Sequence, residues 1–222
     1  MKRLFVACGL FAAAVWNAPA AAADLPPGYR APYAPPPVYS PVYRWAGFYL
    51  GINGGGNWGR SQWDGIGAFE ISGGMVGATI GYNWQFQQLV AGIEGDIDWM
   101  GTKGSTNSLC PLGCETRNHW LSTARGRIGY AFDRFLPYLT AGFAVGDIAA
   151  TMPGFPGGSI TTAGWTVGAG LEVGIVSNVS LKAEYLFVDL GSFNCGFNCA
   201  LAGNGNVSFY TNVLRGGLNI RF

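Results

Sequence analysis

The sequence predicts an all-β fold: an eight-stranded antiparallel up-and-down transmembrane β-barrel with long outer loops and short periplasmic turns. Three observations carry the prediction. First, apolar residues alternate with polar or small ones, the period of a strand whose successive side chains point to opposite faces. Second, the chain is rich in Gly (36 residues) and aromatics (14%) and poor in charge (11%). No internal apolar run is long enough for a membrane-spanning helix, which needs about 18 residues. Third, the connections alternate between long and short, the plan of outer-membrane barrels. Net charge is +1, so nothing points to nucleic acid.

The chain begins with a targeting segment. Lys2 and Arg3 form a positive start, Leu4–Trp16 an apolar stretch, and Ala21, Ala22 and Ala23 a small-residue cleavage site. Residues 1–23 are therefore expected to be a signal peptide, cut between Ala23 and Asp24. Residues 24–44 hold seven prolines interleaved with Tyr29, Tyr33, Tyr39 and Tyr43. That composition favours extended conformations and forms no packed core. It reads as a periplasmic tether, with cell-wall contact as the sharper alternative.

The barrel is expected over 45–222. Its first strand is Phe48–Trp58, with Phe48, Leu50, Ile52 and Trp58 on one face and Asn53 and Asn57 on the other. The second, Gly74–Trp84, sets Val76, Ala78, Ile80, Tyr82 and Trp84 against Gly77, Thr79, Gly81 and Asn83. The third, Leu89–Met100, sets Ile93, Ile97 and Trp99 against Glu94, Asp96 and Asp98. Three carboxylates on one face need cations, because uncompensated buried charge is costly. Arg125 and Arg127 supply them from one face of the fourth strand, Trp120–Phe132. The fifth, Pro137–Gly146, and the sixth, Gly164–Gly174, continue the pattern, with Glu172 on the polar face of the sixth. The seventh, Val179–Leu190, carries Lys182 and Glu184, and the last, Val207–Phe222, carries Arg215 and Arg221.

The long connections are Gly59–Ala68, Gly101–Asn118, Asp147–Thr162 and Gly191–Asn206; the short ones are Gln85–Gln88, Asp133–Leu136 and Ile175–Asn178. The polar face thus collects Glu94, Asp96, Asp98, Glu172 and Glu184 against Arg125, Arg127, Lys182, Arg215 and Arg221. A balanced set can pair inside a lumen. The other face is almost uncharged and carries aromatics near strand ends, as lipid interfaces require.

Four mature cysteines, Cys110, Cys114, Cys195 and Cys199, fall in two long connections. An exported setting favours disulfides. Pairing within each loop is expected, with loop-to-loop pairing and a zinc site as the alternatives. His119, expected to face the lumen near the outer rim, has Ser122 and Asp98 as candidate neighbours for a His-Ser-acid grouping. The motifs that accompany such a nucleophile are missing, so an inert histidine is the better reading and no enzyme is expected. No cofactor or metal is expected either.

Four stretches carry a family resemblance: Trp45–Tyr49, Gly164–Glu172, Leu181–Gly191 and the end Leu218–Phe222. With the Ala23–Pro26 junction and the proline-rich lead-in, they make the chain resemble the small porin-family outer-membrane β-barrels of Gram-negative bacteria, also called outer-membrane immunogenic proteins. The resemblance implies an OmpA-like eight-stranded topology in the outer membrane, without the peptidoglycan-binding domain of longer relatives. It also implies insertion by the barrel assembly machinery, with the terminal Phe222 as the signal that machinery reads. Outer-membrane lipid and lipopolysaccharide are the implied surroundings. The expected role is structural, in envelope integrity and surface display. A small-solute porin is the alternative, and a loop-based adhesin using Phe155, Phe193 and Phe197 is the third reading.

Overall fold

The computed structural model describes residues 43–63, 67–106, 113–151, 154, 158–194 and 206–222, with Trp63, Cys114, Phe193 and Asn194 described at the backbone only. The expected signal peptide with its Ala23–Asp24 junction, residues 24–42 of the proline-rich segment, Cys110, Cys195, Cys199, Phe155 and Phe197 lie outside the described residues.

Eight strands run in chain order: β1 (Gly47–Trp63), β2 (Gly67–Phe86), β3 (Leu89–Thr106), β4 (Cys114–Tyr130), β5 (Phe135–Thr151), β6 (Gly158–Val176), β7 (Val179–Asn194) and β8 (Asn206–Arg221). Each pairs antiparallel with its neighbours, and β1 pairs with β8 to close the barrel. Closure leaves no strand edge, which hydrocarbon would not tolerate. No helix occurs among the described residues. The three short ends turn at Gln87–Gln88, Asp133–Arg134 and Ser177–Asn178. Gln87 and Asp133 take positive φ, 56° and 54°, which lets so short a turn join two twisted strands.

The strands are longer than the alternation suggests. They run from 16 residues in β7 to 20 in β2, whereas about 9–11 suffice to cross a bilayer. The extra length lies at the long-loop end. Most of Gly59–Ala68, Gly101–Asn118 and Asp147–Thr162, expected as loops, is strand, and so are residues 191–194 and 206 of Gly191–Asn206; between β1 and β2 only residues 64–66 separate the strands.

The reason is an inversion of polarity. In the lower barrel the outward face is apolar, with Leu50, Ile52, Ile80, Ile93, Leu139 and Leu218 exposed, and the inward face is charged. Above the level of Trp58, Trp99, Trp120 and Trp165 the outward face turns polar, with Arg60, Glu70, Ser72, Lys103 and Arg117. Phe69, Ile71, Met75, Met100, Leu121, Ile148, Leu186, Val188, Leu190, Val207, Phe209 and Val213 then fill the inside as one buried cluster. The lower half is built for lipid and the upper half for water. Together, side chains pack the barrel through most of its length.

Candidate functional site

The candidate site is the filled lumen. Alternation in β3 and β4 brings Glu94 opposite Arg125 and Asp96 opposite Thr123 in register, and all ten charged residues of the lumen set are buried. Arg125 donates from Nη2 to Asp96 Oδ2 at 2.6 Å and to Glu94, and from Nη1 to Glu184 Oε1 at 3.0 Å. Arg215 reaches across the barrel: Nη1 to Asp98 Oδ2 at 2.8 Å, Nη2 to Asp96 Oδ2 at 2.9 Å, and Nε to Glu184 Oε2 at 2.8 Å. Lys182 Nζ donates to both oxygens of Glu94 at 3.1 Å.

Lower down, Arg127 pairs with Glu172 at 2.7 Å and lies over the Tyr138 ring, 4.4 Å from its centroid. Glu172 also accepts from Ser180, from Asn219 at 3.1 Å and from Arg221 at 3.5 Å. Two tyrosines complete the belt: Tyr49 donates to Glu94 at 2.7 Å and Tyr138 to Glu184 at 2.9 Å. Two inward glycines make room for them. A Cβ on Gly81 would lie 2.3 Å from the Tyr49 ring, and one on Gly170 would lie 2.4 Å from the Tyr138 hydroxyl. Five acids and five bases leave the belt neutral, and charge-assisted bonds of this kind hold only where every partner is in place.

Tyr43 and Trp45 close the short-turn end. Trp45 has no exposed surface and Tyr43 has 5%. The indole Nε1 donates to the Asp133 carbonyl at 3.0 Å, the Trp45 amide to Gln85 Oε1 at 2.7 Å, and Asn83 to the Trp45 carbonyl at 3.2 Å. Arg221 lies 4.9 Å from the Trp45 ring centroid and 5.4 Å from that of Tyr43. Below the belt these two rings cluster with Val90, Ala131 and Leu136.

The remaining candidates are placed as follows. Phe222 is exposed on the outer wall, its amide donating to the Phe48 carbonyl at 2.9 Å and its ring 6.3 Å from that of Phe48. Cys114 begins β4. His119 does not face the lumen. The β4–β5 register shifts between Arg117 and Leu121, so Asn118 and Leu121 both point inward and His119 stays exposed. Such a bulge changes which face a residue takes. Asp147 of β5 secures it: Oδ1 accepts from the His119 and Trp120 amides at 2.8 and 2.9 Å, and Oδ2 lies 2.6 Å from His119 Nδ1. Ser122 also faces out and donates to the Asp96 carbonyl at 2.8 Å, while Asp98 is ion-paired inside. The wall therefore separates His119 from Asp98, and the candidate His-Ser-acid grouping does not assemble.

Nearby, Arg117 donates to both Glu115 oxygens at 2.7 and 3.1 Å, and this bonding holds the Glu115 carboxyl below its ordinary pKa. Sequence reasoning missed the apolar upper core, the Tyr43–Trp45 stopper and Asp147. The unbroken alternation through Phe69, Ile71 and Met75 was the available signal for the core.

Comparison with known proteins agrees with this architecture. The family model described as outer membrane protein beta-barrel domain matches residues 8–222. The chain is 34% identical over 164 residues to the 25 kDa outer-membrane immunogenic protein of Brucella canis, covering 73% of this chain and 74% of that one. It is 34% identical over 216 residues to the 31 kDa outer-membrane immunogenic protein of Brucella melitensis biotype 1, covering 86% and 89%. The 22 kDa outer membrane protein of Rhizobium leguminosarum bv. viciae is 35% identical, covering 71% and 74%. In fold, the chain is similar to Neisserial surface protein A, with TM-score 0.51 and 16% identity, covering 80% of this chain and 98% of that one. A closed eight-stranded barrel with a lipid-facing wall, matched along nearly its whole length, belongs to the outer-membrane β-barrel family of the immunogenic proteins.

Proposed function

We propose that this barrel is a structural and surface-display element of the outer membrane rather than a diffusion channel. The observation that carries the reading is the filling of the lumen: the Tyr43–Trp45 stopper, the neutral charge belt and the apolar upper core follow one another along the axis. Eight-stranded barrels are usually just wide enough for side chains to fill, whereas open aqueous pores have about 16 strands. The upper strands then serve to carry the connecting loops clear of the lipid. Export through a cleaved leader, insertion through Phe222 by the assembly machinery and cell-wall contact through the proline-rich segment belong to this same reading.

Single-channel recording on the mature protein in a planar bilayer tests it, after unheated-gel mobility has established folding. Silence is the expected outcome. Steady, ion-selective openings would overturn the reading in favour of a small-solute porin.

A further inference from the structure

We propose that the outer wall of β8, β1 and β2, at the level of the upper tryptophans, carries a binding site for a phosphorylated sugar headgroup of the outer-leaflet glycolipid. A groove of about 320 Å³ opens there between Trp58, Arg60, Glu70, Ser72, Tyr210 and Asn212. The register fixes the grouping: Arg60 sits between Glu70 on one side and Tyr210 on the other, and Trp58 between Ser72 and Asn212.

The chemistry is that of a phosphosugar. Arg60 is exposed and, although it faces Glu70 across the strands, makes no ion pair with it or with any other described residue. Its guanidinium fork is therefore free for a phosphate, which it can grip through two parallel bonds. Among the described residues Glu70 likewise makes no ion pair, and its carboxylate can accept from sugar hydroxyls. Asn212 is held in place, accepting from the Tyr185 hydroxyl at 2.6 Å and donating to the Trp58 carbonyl at 3.2 Å, so its second amide hydrogen points to a fixed place. Trp58, 48% exposed, offers an aromatic face at the interface, where a ring packs against both a sugar and the start of an acyl chain.

Position and charge add independent support. Directly below the groove the wall turns apolar at Ile52, Val76 and Leu214, so a ligand seated here has its headgroup beside Arg60 and its chains beside those residues. The cations of the upper wall gather on this side. Ser72 pairs with Lys103, which makes Lys103 of β3 the next cation along from Arg60; Arg117 beyond it is already bound by Glu115. Among the described residues, the upper outward face of β1–β4 carries Arg60, Lys103 and Arg117 against Glu70 and Glu115, whereas that of β5–β8 carries Asp147 and Asp189 and no Lys or Arg. Arg60 and Lys103 beside a groove with both aromatic and polar walls fit a phosphorylated glycolipid better than a neutral lipid.

The test is native mass spectrometry of the folded mature protein in detergent, titrated with the bis-phosphorylated glucosamine-disaccharide lipid known as lipid A. Phosphatidylglycerol serves as the anionic control. One lipid A per barrel is expected to be retained, with phosphatidylglycerol retained far less. Arg60→Ala should lower lipid A occupancy at least fivefold, and so should Ser72→Glu, which sets a like charge against the phosphate. Arg134→Ala removes an exposed cation at the other end and should change nothing. Equal retention by Arg60→Ala and the parent, equal retention of both lipids, or an equal fall in Arg134→Ala would each overturn the site. The inference uses the membrane placement proposed above, but its failure would leave the conductance result untouched.

Discussion

At the scale of single residues, the belt depends on partners rather than on charge as such. Among the described residues Arg215 is the cation paired with Asp98, and it shares Asp96 and Glu184 with Arg125. Removing one member of a buried ionic set leaves the others uncompensated and costs about 3–5 kcal/mol. Arg215→Met is therefore expected to lower the urea midpoint of the barrel in lipid vesicles by an amount of that order. Adding Asp98→Asn should recover part of the loss, because four acids then face four bases. Additive destabilisation by the second change would show that the two residues do not act as a pair. The sequence placed these ten residues on one face from their spacing alone. It could not say that Arg215 of β8 meets Asp98 of β3, since that contact spans the barrel, and it placed His119 on the wrong side of the wall. One extra residue at the Asn118–Leu121 bulge reversed its face.

At the scale of the strand, the controlling quantity is the space behind each inward position. Gly81 leaves room for the buried Tyr49 ring, whose hydroxyl bonds Glu94. Gly81→Ala must displace that ring, and overpacking of this kind costs about 1–3 kcal/mol. Gly95→Ala on β3 meets nothing closer than 3.7 Å and is expected to stay within about 0.5 kcal/mol of the parent, as surface changes usually do. Urea unfolding of the two variants side by side checks the difference; equal effects would mean that the glycine is there for backbone reasons and not for the ring. Strand length was the least legible property of the elements. In β2 the alternation never stops, but Glu70 and Ser72 take the outward face where Val76 and Ile80 had it, and Phe69 and Ile71 take the inside. A pattern read as apolar-out ends at Gly74, whereas the strand runs to Gly67.

At the scale of the whole molecule, the lumen is closed in series. Replacing both Tyr43 and Trp45 by Ala should therefore remove the stopper without producing conductance, because the charge belt and the apolar upper core remain above it. Planar-bilayer recording on the double variant checks this. Steady openings would mean that water already crosses the belt and the upper core, leaving the stopper as the actual seal. The resemblance carried by Trp45–Tyr49 and Leu218–Phe222 pointed to the architecture, and the family match and the closed eight-stranded order agree with it.

Local periodicity, side-chain chemistry and turn composition act over a few residues, so the sequence by itself determined the eight strands, the lipid-facing side of the lower barrel, the membership of the charge belt and the short turns. The partners across the lumen, the exchange of polar and apolar faces above the tryptophans, the bulge that turns His119 outward and the seating of Trp45 were decided only by the tertiary structure. Each of these depends on what lies on the far side of a closed wall, and closure joins residues that no local period relates.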